Sequence, residues 1–159
     1  MMNVYLLLGS NLGDRQTYLK EAIMHIESEI SPVVKTSAIY ETQSWGKTDS
    51  PDYLNQVILI ETELSAHVLL KKLLNFERII GRTREEKWGP RIIDIDILFY
   101  GDEIINQPDL QVPHPHLHTR RFTLEPLAEL APTLIHPLLQ KNILKLKNEL
   151  TDSLIVKKL

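Results

Sequence analysis

The sequence lacks several features, and each absence narrows what the protein can do. Its 159 residues include no cysteine, which excludes disulfides, thiol nucleophiles and cysteine-ligated metal sites. The opening apolar run, residues 4–8, follows no basic residue and is too short for a signal-peptide core. No stretch approaches the ~20 apolar residues of a membrane-spanning helix. These absences predict a cytoplasmic protein with no membrane partner.

The two common phosphate-binding loops are also missing. Residues 9–15, GSNLGDR, precede a predicted helix, but they contain no lysine and do not match G-x-x-x-x-G-K-[ST]. The pattern G-x-G-x-x-G does not occur either. We interpret residues 9–15 as a turn that ends a strand, with Asp14 as the N-cap of the next helix. Any phosphate group must therefore be bound mainly by side chains.

The composition is that of one ordinary globular domain, with 43% hydrophobic and 25% charged residues. A net charge of −3 gives no reason to expect a nucleic-acid partner. The charge is unevenly placed, because residues 78–91 hold five basic and two acidic residues, whereas residues 94–109 hold five acidic and no basic ones. This pattern suits a small polyanion that binds together with a divalent cation. A solvated charged loop is the alternative.

Hydrophobic periodicity predicts the element order β-α-β-β-α-β, which is the ferredoxin-like arrangement. The predicted strands cover 4–9, 33–42, 53–64 and 92–100, and the predicted helices cover 15–30 and 66–80. The second helix should point five residues inward: Val68, Leu69, Leu73, Phe76 and Ile80. Beyond residue 101, frequent prolines predict short strands and two short helices, near 122–130 and 143–150, packed on the same sheet.

The strand at 92–100 carries the clearest chemical signal. Alternation places Asp94 and Asp96 on one face, with their Cα atoms ~7 Å apart, and places Ile93, Ile95, Ile97 and Phe99 on the other face. Paired carboxylates among isoleucines are costly unless a cation meets them. Hard oxygen ligands favour Mg²⁺ over zinc. The alternative is an edge strand with a solvated polar face.

Histidines and aromatic residues supply further candidates. His114, His116 and His118 alternate as in a zinc site, but Pro113 and Pro115 oppose a regular strand there. We therefore interpret His114, which precedes Arg120 and Arg121, as a donor to phosphate. Four aromatic residues are candidates for stacking on a flat ring, with core packing as the alternative: Trp45, Tyr53, Trp88 and Phe122.

Four segments together resemble a known family. In their order and spacing, YLLLGSNLGDR, PDYLN, WGPRIIDIDILFYG and VPHPHLHTRRF resemble the 6-hydroxymethyl-7,8-dihydropterin pyrophosphokinases, and the resemblance runs from Val4 to about Pro137. It implies an α+β fold, a three-layer αβα sandwich with a ferredoxin-like βαββαβ core, in a single domain over residues 1–159. It also implies transfer of the β,γ-diphosphate of ATP to the pterin hydroxymethyl group with release of AMP. The expected state is a monomer.

The resemblance also implies roles for individual residues. Asp94 and Asp96 match the ligands of two Mg²⁺ ions. Arg82, Arg84 and Trp88 match a mobile catalytic loop, and Arg91 matches a phosphate-binding arginine beside it. Contacts to ATP are implied for Glu77, His114 and Arg120. Contacts to the pterin are implied for Thr42, Trp45, Tyr53, Asn55 and Phe122.

Two departures from the family pattern are visible. Ser44, followed by Trp45, stands where the family usually has a proline, which affects the loop that reads the pterin edge. Arg121 stands where a small residue is usual, so either Arg120 or Arg121 could contact phosphate. Two other functions remain open for this residue pattern: a two-metal nucleotidyltransferase, and a ferredoxin-like module that binds RNA or a small ligand.

Overall fold

The computed structural model of the chain describes residues 1–43, 52–81 and 92–159, and an antiparallel sheet is its main feature. The sheet has six strands in the order β5-β1-β4-β3-β8, and β2 pairs with the far end of β4. β6 and β7 form a separate hairpin. The strands are β1 (Met2–Ser10), β2 (Val33–Thr36), β3 (Tyr40–Thr42), β4 (Tyr53–Thr62), β5 (Asp94–Tyr100), β6 (Ile105–Gln107), β7 (Leu110–Val112) and β8 (Val156–Lys158).

Helices lie on both faces of this sheet. They are α1 (Arg15–Glu29), α2 (Ala66–Gly81), α3 (Arg121–Leu130) and α4 (Ile143–Asn148), with a 3₁₀ turn at Leu117–Thr119. Asp14 caps α1 by accepting a hydrogen bond from the Thr17 N–H at 3.2 Å, as the sequence predicts. Within the described part of the chain, none of these helices is long and apolar enough to cross a membrane.

The larger core lies between the sheet and the helices α1 and α2. The even-numbered residues of β1, such as Leu6 and Leu8, face this core together with Ile58 of β4. The helices contribute Leu19, Ala22, Ile26, Leu69, Leu73, Phe76 and Ile80, all buried. The helix predicted at 15–30 is therefore confirmed as α1, which ends one residue earlier. In α2 one prediction is wrong: Val68 is 43% exposed, because the helix turns it away from the sheet.

A second core covers the opposite face of the sheet. Leu7 of β1 and Val57 of β4 pack there against Leu124 and Leu127 of α3 and against α4. Both predicted C-terminal helices exist, although α3 starts one residue earlier and α4 ends two residues earlier than expected. The predicted short strands exist as well: β6 and β7 pair with each other and pack on the sheet, with Leu110 and Val112 in the first core.

β5 contains an irregularity that the sequence did not predict. The pairing with β1 shifts between Tyr5, which faces Phe99, and Leu6, which faces Ile97, so Leu98 has no partner of its own. Phe99 therefore joins the second core instead of following Ile93, Ile95 and Ile97 into the first. The predicted strand 33–42 is likewise interrupted, because it divides into β2 and β3.

The C-terminal strand β8 extends the sheet beyond β3. Glu129 of α3 fastens this region: its carboxylate accepts a hydrogen bond from the Tyr40 hydroxyl at 2.7 Å and lies 3.7 Å from Nζ of Lys158. Burial and the neighbouring Glu129 raise the pKa of Tyr40. The start of β3 is thus tied both to α3 and to the end of the chain.

Candidate functional site

Asp94 and Asp96 lie on the sheet face that carries the second core. Asp94 faces Gly9, and Asp96 faces Leu7, whose side chain packs in that core. Both aspartates are partly exposed, whereas Ile95 between them is buried on the other side. The predicted alternation is confirmed at these positions. In the part of the chain that the structure describes, no group of three or more His, Asp or Glu side chains converges on one point.

Polar residues of β3 and β4 continue the same face. Gly9 pairs with Asn55, and Asn55 pairs with Tyr40, so one row across the sheet reads Asp94, Gly9, Asn55 and Tyr40. Paired residues of adjacent strands point to the same side. The strand spacing places the β4 backbone ~10 Å from that of β5. The Asn55 amide reaches over Gly9, so it lies between Asp94 and Tyr40 in this row.

Two polar atoms in this region are buried without a partner. They are Oδ1 of Asn55 and Oγ1 of Thr42, on residues only 4% and 6% exposed, and neither has a hydrogen-bond partner among the described residues. Asn55 also donates from Nδ2 to the Leu8 carbonyl at 3.4 Å, which orients its amide. Buried polar atoms are normally satisfied, so these two oxygens are available to accept hydrogen bonds from a ligand or from residues 44–51.

Aromatic side chains flank these polar atoms. Tyr53 pairs with Thr42 at the end of the β3–β4 ladder, and Phe122 lies in the first turn of α3, which packs over this face. Neither ring is buried, so neither belongs to the fully enclosed core. The guanidinium of Arg120 lies 5.5 Å from the centre of the Phe122 ring. Phe122 also packs against the second core, so its partial burial fits both stacking and core packing.

His114 lies at the outer edge of β5. Its backbone N–H donates to the Leu98 carbonyl at 3.0 Å, and its Nδ1 accepts from the His116 N–H at 3.2 Å. That contact assigns the proton of the neutral ring to Nε2. Burial lowers the pKa of His114, although the Asp96 carboxylate nearby acts in the opposite direction. His114 therefore offers a neutral N–H donor beside the aspartates.

The two arginines before Phe122 have different surroundings. Arg121 forms an ion pair with Asp152, with Nη2 and Oδ1 3.2 Å apart, and its Nε also donates to that carboxylate. Arg120 lies over Phe122 and is close enough to His114 to lower its pKa. The geometry thus favours Arg120 over Arg121 as the residue that faces the site.

Glu77 contacts the edge of the sheet and not the sheet face that carries Asp94 and Asp96. Its Oε2 accepts a hydrogen bond from the Ile95 N–H at 2.6 Å, midway between the two aspartates. β5 is an edge strand of the sheet, so its outward N–H groups need partners from elsewhere. Glu77 thereby fixes the strand that carries Asp94 and Asp96, a contact that the sequence did not predict.

The structure therefore brings most of the described candidates together. Asp94, Asp96, Asn55, Thr42 and Tyr53 share one sheet face; Phe122, Arg120 and His114 border it, and Glu77 lies at its edge. The remaining predicted site residues lie outside the described residues: Trp45, Arg82, Arg84, Trp88 and Arg91.

Two residues of the GSNLGDR segment were missed as parts of the site. A Cβ atom on Gly9 would lie 2.8 Å from Nδ2 of Asn55, so the glycine makes room for that amide. Arg15 contacts Glu41 and the Asp52 carbonyl on either side of residues 44–51. A glycine inside a strand in the middle of a sheet is a recognised sign of a close approach, and it was the available signal.

Comparison with known proteins gives this site a family. Residues 5–132 match the 7,8-dihydro-6-hydroxymethylpterin-pyrophosphokinase (HPPK) family. The chain belongs to this family. It is 44% identical over 151 residues to the 2-amino-4-hydroxy-6-hydroxymethyldihydropteridine pyrophosphokinase of Aquifex aeolicus, covering 95% of this chain and 94% of the relative. The Bacillus subtilis enzyme of the same name is 44% identical over 128 residues, which is 79% of this chain and 76% of the relative.

Solved structures show the fold of the HPPK family. The crystal structure of wild-type Plasmodium falciparum HPPK-DHPS has a TM-score of 0.72 and 17% identity, covering 93% of this chain and 44% of that one. This chain thus spans less than half of that solved protein. At such identity the likeness shows the fold alone: mixed helices and an antiparallel sheet, as in an HPPK domain.

Proposed function

We propose that this member of the HPPK family transfers the β,γ-diphosphate of ATP to the hydroxymethyl oxygen of 6-hydroxymethyl-7,8-dihydropterin, a step of folate biosynthesis. One observation carries the proposal: the Asp94–Asp96 pair lies at the same end of one sheet as two buried oxygens, of Thr42 and Asn55, that have no partner among the described residues. The aspartate pair is suited to bind phosphates through a metal ion, and the two buried oxygens are suited to bind a flat polar ring. The names of the relatives agree with this reaction.

The pterin subsite is assigned to β3, β4 and the start of α3. The ring would stack between Tyr53 and Phe122, while Asn55 and Thr42 satisfy its polar edge. The Asn55 amide can both accept and donate, so its unpartnered Oδ1 can receive an N–H of the pterin. Trp45 is included in this subsite on the resemblance alone.

The nucleotide subsite is assigned to β5 and the segment after β7. His114 can donate from Nε2, and Arg120 from its guanidinium, to phosphate oxygens. Glu77 supports this subsite by holding the Ile95 backbone. Further ATP contacts are proposed on the resemblance for Arg82, Arg84, Trp88 and Arg91, with Arg82 and Arg91 closest to the chemistry.

The donor set of β5 fits Mg²⁺. Two carboxylates without a histidine between them are hard ligands, and Mg²⁺ commonly uses one or two carboxylates and completes its shell with phosphate oxygens and water. We propose two ions, held by Asp94, Asp96 and ATP. When bound, they would supply positive charge to the phosphates and lower the pKa of the pterin hydroxyl.

The reaction balances as a single displacement. The hydroxymethyl oxygen forms a bond to the β-phosphorus, and the bond from that phosphorus to the α,β-bridging oxygen breaks. AMP leaves with the bridging oxygen and its electron pair, and the hydroxyl proton passes to solvent. Arginine side chains and the His114 N–H compensate the charge that develops on the oxygens.

The finer features of the fold belong to the same proposal. A strand order of β5-β1-β4 with β2 and β3 beyond, and helices on both faces, supports a ferredoxin-like βαββαβ core in a three-layer αβα sandwich. We also propose a single domain over residues 1–159. A monomeric state, a cytoplasmic location and the absence of a nucleic-acid partner stay predictions from the sequence.

The direct test is the formation of the pterin product. The purified chain is incubated with ATP, MgCl₂ and 6-hydroxymethyl-7,8-dihydropterin, and the pterins are analysed by mass spectrometry. We expect the pterin diphosphate, and we expect none when the metal is removed with EDTA. A pterin that stays unmodified in the complete mixture would contradict the proposal.

A further inference from the structure

Arg15 is the first residue of α1, and its side chain joins two other parts of the chain. One nitrogen, Nη1, lies 3.1 Å from Oε2 of Glu41 and 2.5 Å from the backbone oxygen of Asp52. These partners are 26 and 37 positions away in the sequence. The Arg15 and Glu41 side chains are only 27% and 30% exposed, so solvent screens their ion pair only in part.

The two partners lie at the end of the β3–β4 ladder at which the chain passes from β3 to β4. Glu41 immediately precedes Thr42, and Asp52 immediately precedes Tyr53, while Thr42 and Tyr53 are paired with each other. A single guanidinium therefore spans both chains at the point where the ladder ends. No turn of regular hairpin length closes this end, because ten residues separate Thr42 from Tyr53.

The turn before α1 sets the position from which Arg15 reaches. Gly13 has φ +67°, in the left-handed region that favours glycine, and its carbonyl accepts a hydrogen bond from the Arg15 N–H at 3.0 Å. Asp14 then caps the helix. The GSNLGDR segment thus fixes the backbone of Arg15 before the side chain makes its two contacts.

We propose that Arg15 is a positioning residue for the pterin subsite. By binding Glu41 and Asp52, it fixes the distance between the next residues along the chain, Thr42 and Tyr53. The inference rests on the proposed function. It adds a role for the GSNLGDR segment beyond the turn at Gly13, the cap at Asp14 and the space that Gly9 leaves for Asn55. Arg15 acts on pterin affinity through the paired residues and leaves the nucleotide subsite on β5 unchanged.

Arg15→Gln tests the proposal, because glutamine is too short and uncharged to span both partners. We expect the pterin KM to rise by about tenfold, the loss expected for one charge-assisted hydrogen bond. The ATP KM should change by less than about twofold, and kcat by less than about threefold, since the β5 groups are untouched. A pterin KM within about twofold of wild type in a folded variant overturns the proposal, and so does an equal rise in both KM values.

Lys141→Gln is the matched control. It breaks an ion pair of similar length, in which Nζ lies 3.0 Å from Oε2 of Glu149, on the segment before α4. Both KM values should stay at wild-type levels in this variant. If Lys141→Gln raises the pterin KM as much as Arg15→Gln does, general destabilisation explains the effect and the positioning role is wrong.

A charge exchange separates the two contacts of Arg15. Arg15→Glu with Glu41→Arg can restore an ion pair, but a carboxylate at residue 15 cannot donate to the Asp52 carbonyl. We expect the exchange to leave the pterin KM raised. Full recovery would show that the ion pair alone matters and would overturn the two-sided clamp.

Amide hydrogen exchange keeps this test separate from the test of the reaction. In Arg15→Gln the amides of residues 41–43 and 53–55 should exchange faster than in wild type, whereas those of β1 should not. If the wild-type chain forms no pterin diphosphate, the proposed function is wrong. The exchange result then still tests, by itself, whether Arg15 holds residues 41–43 and 53–55 in place. Unchanged exchange at these amides overturns the positioning role.

Discussion

Gly9 and Asn55 are partners across the β1–β4 ladder, and the Asn55 amide occupies the space that a side chain on Gly9 would need. The amide also lies beside Leu8, whose carbonyl it contacts at 3.4 Å. The orientation of the unpartnered Oδ1 of Asn55 therefore depends on the absence of a side chain one strand away. This relationship links the glycine of β1 to the pterin subsite that we propose.

Gly9→Ala should weaken pterin binding without unfolding the protein. The new Cβ would lie 2.8 Å from Nδ2 of Asn55, which is the movable end of a side chain, so the amide turns away and the fold persists. We expect about a tenfold loss of pterin affinity, the size of one hydrogen bond to a buried group, and a loss of about 1 kcal/mol or less in stability. Titration calorimetry with the dihydropterin and thermal unfolding measure both quantities.

Gly81→Ala is the control for that variant, because a Cβ atom there meets no atom of the described residues within 4 Å. It should leave pterin affinity unchanged. If Gly9→Ala binds the pterin as tightly as wild type does, Asn55 does not bind the pterin ring.

The aspartate pair should govern turnover and metal dependence. Asp94→Asn or Asp96→Asn keeps the side-chain volume but removes a charge that Mg²⁺ needs. We expect turnover to fall by on the order of 10²-fold or more, by analogy with other groups that stabilise charge in a transition state. Stability should hold or rise slightly, since removing one carboxylate relieves repulsion in the free protein. Near wild-type turnover at saturating Mg²⁺ would remove the metal role.

Stacking and core packing predict different results for Phe122→Ala. A core phenylalanine would lose about 3–5 kcal/mol of stability on truncation. Because the ring is only partly buried, we expect a loss within ~1 kcal/mol together with ~1–3 kcal/mol weaker pterin binding, the range of stacking of a base on an aromatic ring. ATP affinity should be nearly unchanged.

Tyr53→Ala should behave like Phe122→Ala, because its ring is partly exposed as well. Denaturation midpoints and pterin titrations measure both variants. A large stability loss in both, with intact pterin affinity in the folded fraction, would place the rings in the core and leave the pterin subsite unassigned.

His136 should make the fold sensitive to mild acid. Its ring is 3% exposed, and Nδ1 accepts hydrogen bonds from the N–H groups of Leu138 and Leu139 at 3.2 and 3.1 Å. Burial, and then the nearby His118, lower its pKa. Since the folded pKa lies below the unfolded value of about 6.5, the unfolded chain binds more protons on acidification and stability falls as pH drops through that value.

The measurement for His136 is the unfolding midpoint between about pH 7.5 and 5.5, above the range in which most carboxylates titrate. His136→Asn keeps an acceptor near the position of Nδ1 but cannot gain a proton, so its midpoint should depend less on pH than that of wild type. Burial also lowers the pKa of His114, which leaves some dependence in both proteins. Identical pH profiles would show that His136 is not responsible.

The periodicity of apolar residues predicted those helices and strands whose position depends on neighbouring residues in the sequence. The spacing of apolar residues located α1 and α2, and alternation placed Asp94 and Asp96 on one face. Val68 was misplaced because it lies at the margin of the apolar stripe, where periodicity does not decide between core and solvent. Phe99 was misplaced because strict alternation cannot foresee the shift in register opposite Tyr5 and Leu6.

Long-range contacts determined what was missed. β8 consists of three residues whose pairing with β3 joins positions more than 110 apart, and its two lysines suggest a solvated tail rather than a strand. The contacts of Arg15 and the effect of Gly9 on Asn55 also arise between segments that are distant in sequence. Residue types predicted which side chains could bind metal, phosphate or the ring. The neighbours that orient these side chains could be identified only in the structure.

The nucleotide product tests the central claim most directly. The chain is incubated with ATP and MgCl₂, with and without the dihydropterin, and the nucleotides are separated by chromatography. We predict AMP, formed only when the pterin is present and in a one-to-one ratio with the pterin diphosphate. ADP as the product would indicate a simple kinase, pyrophosphate release would indicate a nucleotidyltransferase, and either result would contradict the diphosphate transfer proposed for this chain.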